Sequence, residues 1–315
     1  MAFLQMIYYG VPGTGKSYSV DQLKGVATAP DEQVFRVTFH PEYTYSDFIG
    51  QLLPVVKEDL ITYDFQLGIF TQALVQAFKD TSKPVYLIIE EMSRGNVAAI
   101  FGDIFQLLDR NEKNVSRYPI RNSLVAKNIR QISNDVIYFP ANFNIIGTVN
   151  TSDQNVFAMD TAFKRRFDWK YVSTNPVRNE EGELLQDYNV PITLYYGDKL
   201  IKTNWYEFYL KLNKFITDKN NGLGLREDKQ IGQFFIQFST RMNEKKIKDK
   251  FQNKLLQYLW DDVESVSYNR AIKLFSEEIT NFSELFSTFD KELQIFSNIF
   301  LEYYIHCDIP EEILN

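Results

Sequence analysis

The segment Gly10-Val11-Pro12-Gly13-Thr14-Gly15-Lys16-Ser17 fits the pattern G-x-x-x-x-G-K-[ST] and follows the apolar run Met6-Ile7-Tyr8-Tyr9. A phosphate-cradling loop follows a buried strand in the same order. Glycines at Gly10, Gly13 and Gly15 let backbone N–H groups turn inward on phosphates, with Pro12 and Thr14 shaping the turn between them. Lys16 supplies a mobile cation for the β- and γ-phosphates, and the Ser17 hydroxyl can join a magnesium shell. Tyr18 begins the helix-like stretch that continues to Lys24. The chemistry these residues point to is binding of a nucleoside triphosphate with Mg2+.

Hydrolysis needs acids as well. Val85-Tyr86-Leu87-Ile88-Ile89-Glu90-Glu91 is a buried-strand run that ends in two carboxylates. In triphosphate hydrolysis such a pair can divide the work: Glu90 holds the metal and Glu91 polarises the attacking water. A later run, Gly147-Thr148-Val149-Asn150, places Asn150 at the carboxyl end of another apolar segment, where a polar side chain can position the water or touch the γ-phosphate. Thr151, Ser152 and Asp153 follow, then Asp160, then Phe163-Lys164-Arg165-Arg166-Phe167. Those cations read either as a solvated helix end or as the source of an arginine that reaches a neighbouring subunit's nucleotide.

The elements that must position these residues are legible as a rhythm. Strand-like runs at Gln5–Tyr9, Val34–Phe39, Val85–Ile89, Asn144–Val149 and Trp169–Val172 alternate with helical patterns, which predicts an α/β fold with a parallel sheet and helices on both faces. Ile100, Phe101, Ile104, Phe105, Leu107 and Leu108 recur at helical spacing and are expected in the core. The polar stretch from Asn111 to Asp135 is longer than a usual connection and predicts a hairpin or a functional loop. Beyond Asn175 the strand rhythm fades. Trp205, Phe208, Tyr209, Leu212, Phe215 and Ile216 form one helical stripe, and Phe286, Phe289, Leu293, Phe296, Phe300 and Tyr303 another. Two domains follow from this: residues 1–175 as a nucleotide-binding α/β part and 176–315 as a mostly helical lid, joined near the polar segment Arg178–Asp198.

Composition sets outer limits. The 315 residues are 44% hydrophobic and include 26 Phe and 19 Tyr, enough for real cores. No apolar run approaches the ~20 residues of a membrane span, and Cys307 is the only cysteine. The expectation is a soluble protein in the reducing cytoplasm, free of membrane contact. A net charge of −7 argues against a nucleic-acid footprint spread over the whole surface, which leaves a local basic patch as the place for any DNA contact. The run Lys245, Lys246, Lys248, Lys250 and Lys254, interleaved with Glu244 and Asp249, reads as a solvated helix face. His40 has no companion ligand at metal spacing and reads as a loop residue. Because the nucleotide strand starts within the first handful of residues, any reading of DNA is expected to fall to another domain or subunit.

Several of these segments together resemble the McrB family of AAA+ GTPases from modification-dependent restriction systems. They are Glu90-Glu91-Met92-Ser93-Arg94-Gly95-Asn96 leading into Ile100-Phe101-Gly102, the segment Thr148-Val149-Asn150-Thr151-Ser152-Asp153, and the run from Asp160 to Phe167. Phe39-His40-Pro41-Glu42-Tyr43, Tyr45-x-Asp47-Phe48 and Ile231-Gly232 are similar as well. Two positions depart from the family pattern: Gln154 stands where Arg is common, and Glu90 replaces the commoner Asp.

The resemblance implies a P-loop sheet followed by a helical lid, and a homo-oligomeric ring, expected to be a hexamer. Asn150 and Asp153 belong to the family signature, and Arg165 or Arg166 would complete the neighbouring protomer's site. It further implies GTP as substrate, with ATP the alternative, Mg2+ as cofactor, an McrC-like nuclease partner, and DNA translocation in defence. A remodelling chaperone of the MoxR kind and a nucleotide-gated scaffold with weak hydrolysis are the competing readings.

Overall fold

A computed structural model describes residues 3–57, 59–152, 157–179, 181–239, 241–267 and 271–314. The chain divides into two compact units: one holds the residues up to Tyr9 together with Lys16–Tyr171, and the other holds Gly10–Gly15 together with the residues from Val172 onward.

The first unit is built on a five-stranded parallel sheet. Its strands are β1 (Gln5–Gly10), β2 (Val34–Thr38), β5 (Val85–Glu90), β8 (Phe143–Asn150) and β9 (Asp168–Tyr171), in the order β2-β5-β8-β1-β9. The central strands β5 and β8 read as near-continuous apolar runs because helices cover both faces of a parallel sheet, and every residue of each except the last is buried. β2 and β9 are the edges, and neither has a fully buried residue. The helix Ile69–Lys79 buries Phe70, Ala73, Leu74, Ala77 and Phe78. Phe70 meets Phe48, Phe139 and Phe143 with ring centroids 5.4 to 6.0 Å apart.

The stripe from Ile100 to Leu108 is core, yet it is not one α-helix. Asn96 caps an α-helical turn at Val97–Phe101 by accepting from the Ala99 N–H at 3.2 Å, and the chain then tightens to a 3₁₀ helix over Gly102–Leu108. The polar stretch beyond it forms a short antiparallel pair, β6 (Ile120–Arg121) with β7 (Val136–Ile137), around a helical turn at Ser123–Ala126.

A second hairpin, β3 (Gly50–Lys57) with β4 (Leu60–Leu67), has no counterpart in the sequence rhythm. Its register pairs Leu52 with Phe65, Pro54 with Tyr63 and Val56 with Ile61, so one of its faces is apolar throughout. Val56 and Ile61 on that face are each 72% exposed.

The second unit is mainly helical, but it also contains the hairpin β10 (Pro191–Tyr196) with β11 (Lys199–Asn204), which the fading rhythm did not predict. The helix Trp205–Thr217 follows, capped by Asn204 and buried along the expected stripe. The predicted stripe from Phe286 to Tyr303 is broken. One helix runs Phe282–Asp290, Glu292 takes a positive φ of 58°, and a new helix starts at Asn298 behind the Ser297 cap. Leu293 falls in the break and is 54% exposed, whereas Phe296 and Phe300 stay in the core. Periodicity carried the stripe across the gap because the intervening seven residues happen to keep the helical phase. The helix Glu244–Lys250 has no buried residue, as a solvated lysine face requires, and runs on through π-helical turns at Phe251–Leu256 and Leu259–Glu264. Among the described residues no helix is long and apolar enough to cross a membrane.

Candidate nucleotide site

The loop Gly10–Gly15 packs with the second unit. Gly13 and Gly15 have φ of +78° and +84°, values that cost an L-residue with a side chain about 1 kcal/mol or more. Thr14 closes the turn on itself, its hydroxyl donating to the Val11 carbonyl at 3.1 Å. A strap formed by Gly232–Phe235 lies along the loop. The Gly232 N–H donates to the Pro12 carbonyl at 2.9 Å and the Phe234 N–H to the Gly13 carbonyl at 2.7 Å. The approach is close enough that a Cβ on Gly232 would stand 2.3 Å from the Gly13 oxygen. Ile231-Gly232, noted in sequence only as a family likeness, is thus where strap meets loop. Trp205 fixes the strap from below, its indole N–H donating to the Gln233 carbonyl at 2.8 Å.

From Gly15 the chain enters the helix Lys16–Asp21 of the first unit. Lys16 is buried, whereas Ser17 and Tyr18 are exposed. At the carboxyl end of β5, Glu90 is the focus of a hydrogen-bond cluster. Its Oε2 accepts from the Ser17 hydroxyl at 2.9 Å and from the Thr148 hydroxyl at 2.5 Å. Its Oε1 accepts from the guanidinium of Arg36, which also pairs with Asp21. The next residue has a different environment. Glu91 has φ of +52°, a left-handed conformation rare for a non-glycine residue, and its N–H donates to Thr148 Oγ1 at 3.2 Å. That turn of the backbone directs two consecutive carboxylates to different partners. Asn150 Nδ2 donates to both Glu91 oxygens at 2.8 Å.

The sequence-predicted residues therefore fall into groups. Ser17 and Glu90 come together, as do Glu91 and Asn150. Arg165 and Arg166 follow the helix Thr161–Lys164, which Asp160 caps by accepting from the Phe163 N–H at 2.6 Å. They line a pocket of about 440 Å³ with Phe3, Gln5, Asp109 and Arg110. Arg166 is engaged there: it lies 4.0 Å over the Phe105 ring and donates to the Ala162 carbonyl and Asp109 Oδ2, each at 2.6 Å. Arg165 is exposed, and its guanidinium has no ion pair or hydrogen bond among the described residues. Asp153 and Gln154 lie outside the described residues.

Two members of the cluster were missed from sequence. Thr148 shares a face with Asn150 at the period of two of a strand, and is the buried polar residue of that pair. Arg36 is a lone cation inside the apolar run Val34–Phe39, and its strand partner is Ile88, two residues before Glu90 on the same face. Strand parity gives each its face, but the partner it meets there depends on the register across the sheet.

The fit to magnesium can be judged from the donors. Ser17 and Glu90 offer a hydroxyl and a carboxylate oxygen within 2.9 Å, the all-oxygen set a hard cation prefers. No group of three or more His, Cys, Asp or Glu side chains converges among the described residues. Magnesium held by one or two protein groups plus phosphates and water suits such a site better than a dedicated protein cage.

Sheet, loop and paired acids define the AAA class of P-loop proteins. Residues 5–167 match the AAA domain family of the dynein-related subfamily, and the chain belongs to it. Within that class it is an McrB-like AAA+ protein. It is 35% identical over 319 aligned positions to the type II restriction enzyme BsuMI component YdiS of Bacillus subtilis, covering 92% of this chain and 87% of that protein. It is also 30% identical over 167 positions to the type IV methyl-directed restriction enzyme EcoKMcrB subunit of Escherichia coli, covering 52% of this chain and 34% of the subunit.

Proposed function

We propose that this protein is a ring-forming nucleoside triphosphatase, using GTP in preference to ATP, that drives DNA translocation for a partner nuclease in restriction. The observation that carries the catalytic part is the division of the two acids, Glu90 toward Ser17 and Glu91 toward Asn150. Both relatives are restriction components, which supports the setting.

In this reading residues 1–175 bind the nucleotide and 176–315 form the helical lid. The backbone of Gly10–Gly15 cradles the phosphates, and Lys16 neutralises their charge. Ser17 and Glu90 would hold the magnesium that accompanies the nucleotide, and it would offset charge on the phosphate oxygens. Glu91 accepts a proton from the attacking water, and Asn150 fixes the carboxylate's orientation while it does so. Asp153 contributes from the same signature segment. Because Arg166 is committed to Phe105, Ala162 and Asp109, Arg165 is the residue that acts on a neighbouring protomer. A hexamer, a nuclease subunit of the McrC kind and DNA held by another domain or subunit complete the assembly.

The test is steady-state hydrolysis of GTP and ATP side by side at several protein concentrations. GTP preference with specific activity rising with concentration is the expected result. ATP preference with no concentration dependence would favour a remodelling chaperone instead.

A further inference from the structure

Glu90 is the acid assigned to magnesium, yet in the folded chain its Oε1 already has a cation. Arg36 donates one guanidinium nitrogen to that oxygen and the other to Asp21 Oδ1. The arrangement follows from the sheet. β2 and β5 run parallel with Arg36 opposite Ile88 and Thr38 opposite Glu90, so Arg36 and Glu90 project from one face two positions apart. Asp21 ends the helix that begins with Lys16 and Ser17. The guanidinium therefore bridges the metal-binding acid and the helix that follows the phosphate loop. Glu90 is shielded, at 13% side-chain exposure, whereas Arg36 at 37% and Asp21 at 52% retain room to move.

We propose that Arg36 is a positioning residue that stands in for the metal's charge: it holds Glu90 while magnesium is absent and shifts wholly to Asp21 when the metal–nucleotide enters. An unpaired Glu90 beside an incoming triphosphate would repel it, and pairing with Arg36 removes that repulsion without blocking Oε2, which stays on Ser17 and Thr148. A divalent ion then competes with Arg36 for one carboxylate, and Asp21 offers the displaced guanidinium a second acceptor. Arg36 thus supports metal-free binding and raises the magnesium concentration needed to saturate the site. The proposal rests on the nucleotide-binding reading above.

The experiment titrates the 315-residue protein with mant-labelled non-hydrolysable GTP and ATP analogues, first in EDTA and then across a MgCl2 series, with thermal unfolding of each variant measured alongside. Arg36→Met should weaken metal-free binding by about tenfold, and should shift the magnesium midpoint to lower concentration. Asp21→Asn, which leaves Arg36 no second anionic acceptor, should move the midpoint to higher concentration. Opposite shifts in the two variants are the signature; should Arg36→Met fail to fold, Arg36→Lys takes its place, because an ammonium cannot span both acids. Equal loss of affinity with and without magnesium, or an unmoved midpoint in both variants, overturns the proposal and leaves the nucleotide reading standing. Wild-type protein that binds neither analogue at saturating magnesium removes the nucleotide reading and the proposal with it.

Discussion

Asn150 grips Glu91 with a single amide: Nδ2 lies 2.8 Å from each carboxylate oxygen, across the ends of β8 and β5. The left-handed φ of +52° at Glu91 is what makes this contact compatible with Glu90 turning to Ser17. A carboxylate held in this way is oriented as a base before substrate arrives, and reorganisation is avoided during reaction.

Glu91→Gln should therefore leave nucleotide affinity close to wild type while lowering turnover by about 10²–10⁴, the usual worth of a positioned base. Asn150→Ala keeps the carboxylate but frees it, so its loss of turnover should be smaller and its affinity likewise unchanged. Single-turnover hydrolysis together with equilibrium binding separates the two effects. Turnover that survives in Glu91→Gln would remove Glu91 from the role of base.

The contact between strap and loop predicts a stability effect confined to small residues. Gly232→Ala places a Cβ 2.3 Å from the Gly13 carbonyl oxygen, and the three atoms nearest to it are all backbone, which cannot swing aside. A drop in unfolding free energy of about 1–3 kcal/mol is expected, the range for overpacking a tight contact. Gly182→Ala has open space around it and serves as the comparison, although its φ of +83° adds strain of its own. Urea unfolding should show the drop for Gly232→Ala against wild type, and the difference between the two variants is the clash cost less the strain at Gly182.

Much of this arrangement was legible in the sequence, for reasons that also explain what was not. Val85–Glu90 and Phe143–Asn150 are buried on both faces, so their apolar runs are unbroken and strand type is unambiguous. Glu90, Glu91 and Asn150 end those strands and inherit the certainty of their position. The hairpin Gly50–Leu67 is the opposite case. Its apolar face of Leu52, Val56, Ile61 and Tyr63 is exposed, so alternation carries no inside or outside and cannot be told from an irregular segment. Thr148 and Arg36 were missed because their partners come from other strands, 58 and 54 residues away in the chain. Register across a parallel sheet depends on crossover packing, which no local window contains.

The short helix Tyr45–Ile49 offers a test of pH dependence. Thr44 and Asp47 form a reciprocal cap: Asp47 Oδ2 accepts from the Thr44 hydroxyl at 2.7 Å and from its N–H at 2.9 Å, while Thr44 Oγ1 accepts from the Asp47 N–H. These bonds favour the ionised carboxylate, the Thr44 hydroxyl contributing most, and hold its pKa below the ordinary value of 3.8. A depressed acid adds stability that is present above the unfolded-state pKa and disappears as pH falls through the folded-state value. Thr44→Ala should cost about 1 kcal/mol at neutral pH. The gap between variant and wild type should then narrow below pH ~4 as Asp47 protonates in both. Thermal unfolding from pH 7 downward measures it, and a gap independent of pH would mean that Asp47 contributes nothing through its charge.

Arg165 and Arg166 are adjacent in sequence and opposite in circumstance, which allows a prediction with two separate readouts. Arg166 is 10% exposed, ion-paired with Asp109, and stacked on Phe105. Removing its side chain leaves the half-buried Asp109 unpaired and strips the ring of its cation, so Arg166→Ala should destabilise the fold by about 2–3 kcal/mol. Any loss of turnover in that variant should track the unfolded fraction. Among the described residues Arg165 has no such ties, so Arg165→Ala should leave the unfolding transition in place. Its hydrolysis, however, should fall by about 10³–10⁵ if it completes a neighbour's site. Mixing decides between action within a subunit and action across subunits. Arg165→Ala keeps an intact Glu91, and Glu91→Gln keeps an intact Arg165, so a mixed ring contains junctions where both are present. Activity recovered on mixing two inactive proteins requires action across the junction. Mixtures as inactive as their components, in assemblies that demonstrably form, would return Arg165 to the status of a surface residue.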